Sequence, residues 1–262
     1  MGSYYDDFDY QSYWIGRKYE DGVEKLAIKK FLKRIPQKDS LIDIGAGFGR
    51  LAEVYVSSFN RCLLVDPSKE LLGQAELSLR NLRGLKRLRS LKSLTFRVGN
   101  AERLPVESES FNVALVVRVI HHLEKPEQAF REIYRVLKPG GFLILEFANK
   151  IHFRARIRAW LKGDFSFSRN LFPQEQRTSE SIKAGKIVFL NHHPETIRNE
   201  LKKTGFVIME ILSVSNFRLP LIKTLLPPPA LLFLENFCQK PLAKIYFGPS
   251  IFVLAQKLKV SS

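Results

Sequence analysis

The residues best suited to chemistry begin at Asp43-Ile44-Gly45-Ala46-Gly47-Phe48-Gly49, where an apolar run gives way to alternating glycines. Glycine permits a sharp turn and lets a ligand approach the backbone closely, and a helix opening behind the turn offers free N–H groups. The spacing differs from the dinucleotide-binding G-x-G-x-x-G, because Arg50 stands where the third glycine would be. Asp66 ends the next apolar run, Cys62-Leu63-Leu64-Val65, and an acid there can accept both hydroxyls of a ribose. Alone, Asp66-Pro67-Ser68 is a helix-start turn; with the loop upstream it reads as a ribose acceptor. His121 and His122 follow a further apolar run, and His121 is the better-placed base; packing or capping is the competing role. His192 and His193 precede Pro194 and can cap a helix. These histidines have no regular ligand spacing, so no metal site is expected.

Such groups need elements to hold them. Short β-rich runs alternate with helical stretches, which argues for a parallel sheet with crossover helices. Strands are expected at 41–44, 62–65, 94–98, 111–117, 142–147, 206–212 and 251–256. Helices are expected at 22–34, 49–58, 69–82, 126–137 and 194–204, with a turn at Pro139-Gly140-Gly141. Helix 22–34 places Val23, Leu26, Ala27 and Phe31 on one side. The stretches 150–190 and 213–249 fall outside this rhythm.

The chain has 262 residues, 45% hydrophobic, enough for a real core and too few for several full-size domains. Two cysteines cannot build a disulfide framework, and the first residues lack the regions of a signal peptide, so a cytoplasmic location is expected. The net charge of +16 is uneven: +7 in 80–97, +7 in 150–203 and +4 in 204–262, with the remainder near neutral. A local basic face suits an acidic partner, phospholipid or RNA, or is simply a solvated surface.

Beyond the loop, Gly99-Asn100-Ala101-Glu102-Arg103-Leu104-Pro105, Ser110-Phe111-Asn112-Val113-Ala114, His121-His122-Leu123 and Arg135-Val136-Leu137-Lys138-Pro139-Gly140-Gly141 follow in order. Together these motifs resemble the class I S-adenosylmethionine-dependent methyltransferases, in the small-molecule branch that includes the ubiquinone and menaquinone biosynthesis enzymes. The resemblance covers about 40–147, and more loosely 191–212 and 250–257. It implies an α/β fold, a Rossmann-like doubly wound seven-stranded mostly parallel sheet with helical insertions. It implies one domain, 1–262, with a helical cover in 1–38, a cofactor-binding half in 39–149 and substrate-side insertions at 150–190 and 213–249. By resemblance, Asp43, Gly45 and Gly47 hold the methionine part of S-adenosylmethionine, Asp66 the ribose, and Asn100 and Ala101 the adenine edge. Ala46, Pro67 and Glu102 are further cofactor-binding positions, and Arg118 lies beside the sulfonium. Many family members have Asp where this chain has Asn100. A cation beside a sulfonium is unfavourable, so Arg118 is expected to turn away or to bind a carboxylate.

The expected reaction is in-line methyl transfer to a small, amphiphilic or lipid-like acceptor, with His121 as the catalytic residue. Peripheral contact with an anionic membrane, at its inner face, is a further expectation. Both insertions are rich in large apolar groups and should cover the C-terminal edge of the sheet. An RNA methyltransferase is the alternative suggested by the charge. Against it, the Asn/Asp-Pro-Pro-aromatic run of base-amine enzymes is absent after 117, and no Pro-Cys pair exists. A non-catalytic S-adenosylmethionine-binding module is the third reading.

Overall fold

The computed structural model describes residues 10–83, 93–184 and 187–258. Its framework follows from alternation along the central strands. In β1 (Ser40–Ile44), Leu41 points into one hydrophobic cluster, Ile42 and Ile44 into another. In β2 (Arg61–Asp66), Cys62 and Leu64 join the first cluster, Leu63 and Val65 the second. Strands β3 (Ser93–Val98) and β4 (Phe111–Val116) continue the parallel set, and every residue of β4 is buried. A strand buried on both faces needs an apolar residue at nearly every position, as these runs supply.

The remaining strands are β5 (Leu137–Ala148), β8 (Phe206–Val214) and β9 (Ser250–Lys257), with a separate two-stranded pair, β6 (Gln174–Glu175) and β7 (Leu190–Asn191). The main sheet has seven strands in the order β3-β2-β1-β4-β5-β9-β8, and only β9 runs antiparallel to its neighbours. The expected α/β architecture is present.

Helices α2 (Lys18–Arg34), α3 (Ala52–Tyr55), α4 (Lys69–Arg83) and α10 (Pro228–Ala243) contribute to the first cluster through Phe31, Tyr55, Leu72 and Leu231. Helices α5 (Pro126–Val136) and α8 (Pro194–Thr204) contribute to the second through Phe130, Ile133, Ile197 and Leu201. Short helices α1 (Tyr10–Trp14), α6 (Phe153–Leu161), α7 (Ser179–Lys183) and α9 (Pro220–Leu225) complete the described α-helices, and single 3-10 turns lie at Val56–Ser58 and Ile120–His122. Among the described residues, no helix is long and apolar enough to cross a membrane.

Three local expectations change. The helix expected from Gly49 starts only at Ala52, because Gly49 has φ +76°, outside the helical region. The turn at 139–141 is a bulge inside β5: Leu137 pairs with Phe111 and Phe142 with Val113, so four residues face one. On α2 the buried side uses Ile28 rather than Leu26, together with Glu20 and Glu24. Residues 84–92 of the basic run 80–97, which carry four of its seven cations, lie outside the described residues.

Both segments, 150–190 and 213–249, leave the sheet at its C-terminal edge. The first follows β5, and the second joins the end of β8 to the start of β9, where Ala148, Ser250 and Val214 lie side by side. They meet each other: Phe153 and Phe247 stack at 4.8 Å, and Arg156 donates to the Ile245 carbonyl. Lys150, buried, draws the loop beyond α6 inward through the carbonyls of Asn170 and Phe172.

Candidate functional site

The glycine loop leaves β1 and is tied to β2, with Gly45 and Ala46 donating to the Val65 carbonyl. Gly45 and Gly47 have φ +72° and +54°, a region costly for residues bearing Cβ. A Cβ on Gly45 would strike the Val119 side chain at 2.2 Å, while one on Gly47 would meet nothing within 4 Å. Gly45 is therefore required by packing, whereas open space lies in front of Gly47. The Asp66 carboxylate takes the Gly47 N–H at 2.8 Å on one oxygen and the Ser68 N–H at 2.9 Å on the other. Pro67 is half-buried between them. Asp43 is buried and accepts from the Tyr55 hydroxyl at 2.6 Å; burial pushes its carboxyl up to about 7. On the β3 side, Ala101 is buried, Glu102 is half-buried and Asn100 is exposed, its amide oxygen accepting the Arg103 N–H. The structure thus brings Asp43, Gly45, Ala46, Gly47 and Asp66 together at the C-terminal ends of β1 and β2, with Asn100 beyond neighbouring β3.

Arg118 binds a carboxylate, as the charge argument requires. It follows β4 in the left-handed region, φ +61°, with its N–H held by Glu146 at 2.8 Å. Its guanidinium reaches Glu24 on α2 at 2.7 and 2.9 Å. Arg50 takes the other Glu24 oxygen at 2.6 Å, and also pairs with Asp21. The Trp14 ring lies against both guanidiniums, 3.6 Å from Arg50 and 4.7 Å from Arg118. Burial alone would raise the Glu24 carboxyl, but the two arginines outweigh it and hold it below the usual range. Glu146, buried and bonded to the Ser250 hydroxyl, is pushed upward by burial. Sequence reasoning missed Trp14, Glu24 and Glu146. The available signal was a glutamate pair, Glu20 and Glu24, on the otherwise apolar side of α2.

The histidines form a packed group beyond β4. His121 is buried between His122 (ring centroids 4.1 Å) and Phe189 (4.5 Å), and its Nδ1 has no hydrogen-bond partner. Burial, then the neighbouring His122 and Arg118, lower its pKa well below the ordinary value, so it is neutral at pH 7. The His122 Nδ1 meets the Val188 carbonyl and the His192 Nε2 the Ile120 carbonyl, fastening the chain at 188–192 to the turn beyond β4. His193 caps α8 by accepting the Glu195 N–H, the expected role. Among the described residues, no group of three or more His, Cys, Asp or Glu could hold a metal.

The sequence pattern described as a methyltransferase domain matches residues 42–145. A malonyl-[acyl-carrier protein] O-methyltransferase of a Marinomonas species is 24% identical over 70% of this chain and 69% of its own length. The ubiquinone/menaquinone biosynthesis C-methyltransferase of Rubrivivax gelatinosus is 33% identical over 49% of this chain. That match spans 48% of the relative, so the chain aligns with about half the length of such curated proteins. A solved S-adenosylmethionine-dependent methyltransferase of Methanosarcina mazei shares the fold, with a TM-score of 0.58 at 20% identity, covering 87% of this chain and 97% of that one. Residues 42–145 match a methyltransferase domain, and the seven-stranded sheet around them has the fold of S-adenosylmethionine-dependent methyltransferases. The open cradle at Gly47, between two buried carboxylates, fits S-adenosylmethionine, the cofactor named for that solved neighbour.

Proposed function

We propose that the chain transfers a methyl group from S-adenosylmethionine to a small amphiphilic, lipid-like acceptor. The observation that carries this reading is the character of the two insertions that meet at the C-terminal edge. Trp160, Leu161, Phe165 and Phe172 in the first and Leu221 and Leu225 in the second are each more than 60% exposed. Arg154, Arg156 and Arg158 share α6 with Trp160 and Leu161. Large apolar groups among arginines suit an apolar tail and an anionic membrane surface better than a nucleobase. Peripheral membrane contact belongs to the same proposal. Two relatives named for malonyl-[acyl-carrier protein] and for quinone biosynthesis support an acceptor with an extended apolar part.

In this reading Asp66 and Pro67 take the ribose, Asp43 and the loop 45–47 the amino-acid end, and Asn100, Ala101 and Glu102 the adenine edge. The bound cofactor supplies a methyl group on a positively charged sulfur, open to displacement by a nucleophile. Glu24 draws the Arg118 charge away from that position. The insertions exclude water and align the acceptor, which is most of what such a displacement needs. His121, neutral with a free ring nitrogen, accepts the acceptor's proton.

The test is purified chain with methyl-labelled S-adenosylmethionine, offered a membrane-lipid extract and total RNA in parallel. Label is expected in the lipid fraction, and His121→Asn should lower the rate about a hundredfold, the lower end for a general base, with cofactor affinity unchanged. Label in RNA and none in lipid overturns the proposal.

A further inference from the structure

The junction of α1 and α2, at Ile15, Gly16 and Arg17, faces the start of the second insertion, at Arg218, Pro220 and Lys223, across a cleft of about 430 Å³. Three cations and a single carboxylate, Glu20, line it. The Glu20 side chain is only 3% exposed and accepts the Lys223 ammonium at 2.9 and 3.2 Å, with the Arg218 Nε at 3.5 Å. Arg17 lies 4.0 Å from the centre of the Tyr13 ring and makes no ion pair among the described residues. Glu20 thus offsets one of three positive charges. A phosphate monoester carries between one and two negative charges at neutral pH, which matches the remainder.

The location points the same way. Glu20 and Glu24 are one turn apart on the buried side of α2, about 6 Å along the axis. One faces this cleft, while the other holds Arg118 at the end of β4. The cleft therefore borders the sheet edge where such folds bind ligands. Exposed Leu219 and Leu221 flank it, so an apolar tail has a surface beside the charged head.

We propose that this cleft binds a phosphate monoester, the charged group of the methyl acceptor. The role as acceptor site rests on the function proposed above; the anion site itself does not. Arginine binds phosphate through paired N–H groups, and Arg17 and Arg218 supply two such forks.

The experiment is calorimetric titration with inorganic phosphate at constant ionic strength, on the full chain and on Arg17→Gln and Glu20→Gln. Arg17→Gln removes no partner of a buried carboxylate, so its fold should survive. Phosphate should bind the parent chain, about tenfold more weakly after Arg17→Gln, the loss expected for one charged hydrogen bond. It should bind more tightly after Glu20→Gln, which removes a like charge; a purely structural ion-pair cluster predicts no such gain. Flotation with phosphatidylcholine vesicles, with and without phosphatidic acid, separates the sources of phosphate. Phosphatidic-acid-dependent flotation weakened by Arg17→Gln assigns a lipid head group, and phosphate binding without it assigns a soluble acceptor. No phosphate binding by either the parent or Glu20→Gln overturns the site. A parallel titration with S-adenosylmethionine keeps the failures apart, since lost cofactor binding with phosphate binding intact would sink the methyltransferase reading alone.

Discussion

Asp43 lies one residue before the end of β1 with one oxygen bonded to Tyr55, and its proton is held to about pH 7 in the folded chain against an ordinary value of 3.8. The folded state therefore binds a proton that the unfolded state has released, and this contribution to stability weakens as pH rises between those values. Glu235, bonded to Tyr19 and Asn216 and also pushed up to about 7 by burial, adds a second contribution of the same sign. Urea unfolding at a series of pH values should show the slope reduced, not abolished, in Asp43→Asn. An unchanged slope would mean that Asp43 stays ionised in the fold. At this scale the loop was legible from its glycine spacing and from the Asp66-Pro67-Ser68 turn, whereas the bonds from Asp66 to Gly47 and from Tyr55 to Asp43 join residues 19 and 12 apart and left no local pattern. Asp66 bonds Ser68 two residues on.

The α2 helix joins the first insertion-free half of the chain to everything that covers it. Glu20 reaches Arg218 and Lys223, Glu24 reaches Arg50 and Arg118, and Tyr19 donates to Glu235 on α10. Glu24 and Arg118 are 94 residues apart, which is why no local pattern announced the pairing. Removing Glu24 leaves two guanidiniums with the carboxylate between them gone. With Arg50 only 11% and Arg118 29% exposed, Glu24→Gln should cost about 3 kcal/mol, the low end for a broken buried pair. The solvent-exposed pair Lys203–Glu200 is the contrast; Lys203→Gln should cost under about 1 kcal/mol. Denaturant midpoints of the two variants check this, and equal losses would show that the Glu24 cluster is as weak as a surface pair. Helices α6, α9 and α10 escaped assignment in detail because large apolar residues in them face outward, Phe233 and Phe237 even touching one another on the exposed side of α10. Trp160, Leu161, Leu221, Phe233 and Phe237 are more than 60% exposed in them, so burial did not dictate their pattern.

Across the whole molecule, the seven strands of the main sheet and five of the helices were readable from alternating strand and helix signals, whereas the order of the strands was not. Each buried strand needs its apolar run whatever lies around it. The cover was readable only in outline: both insertions depart from the C-terminal edge, but their mutual contacts run through backbone carbonyls and exposed rings, which leave no residue-type signature. The molecule that results is a methyltransferase domain with an apolar and basic cover at the edge where the glycine loop opens. The most direct measurement is calorimetric titration of the full chain with S-adenosylmethionine, repeated on Asp66→Ala. The parent chain should bind, and the variant should lose roughly 2–4 kcal/mol, the loss of two ribose hydrogen bonds to a charged acceptor. Equal affinity in the two proteins would contradict the assignment of the cofactor to the loop at 43–49 and the acid at 66.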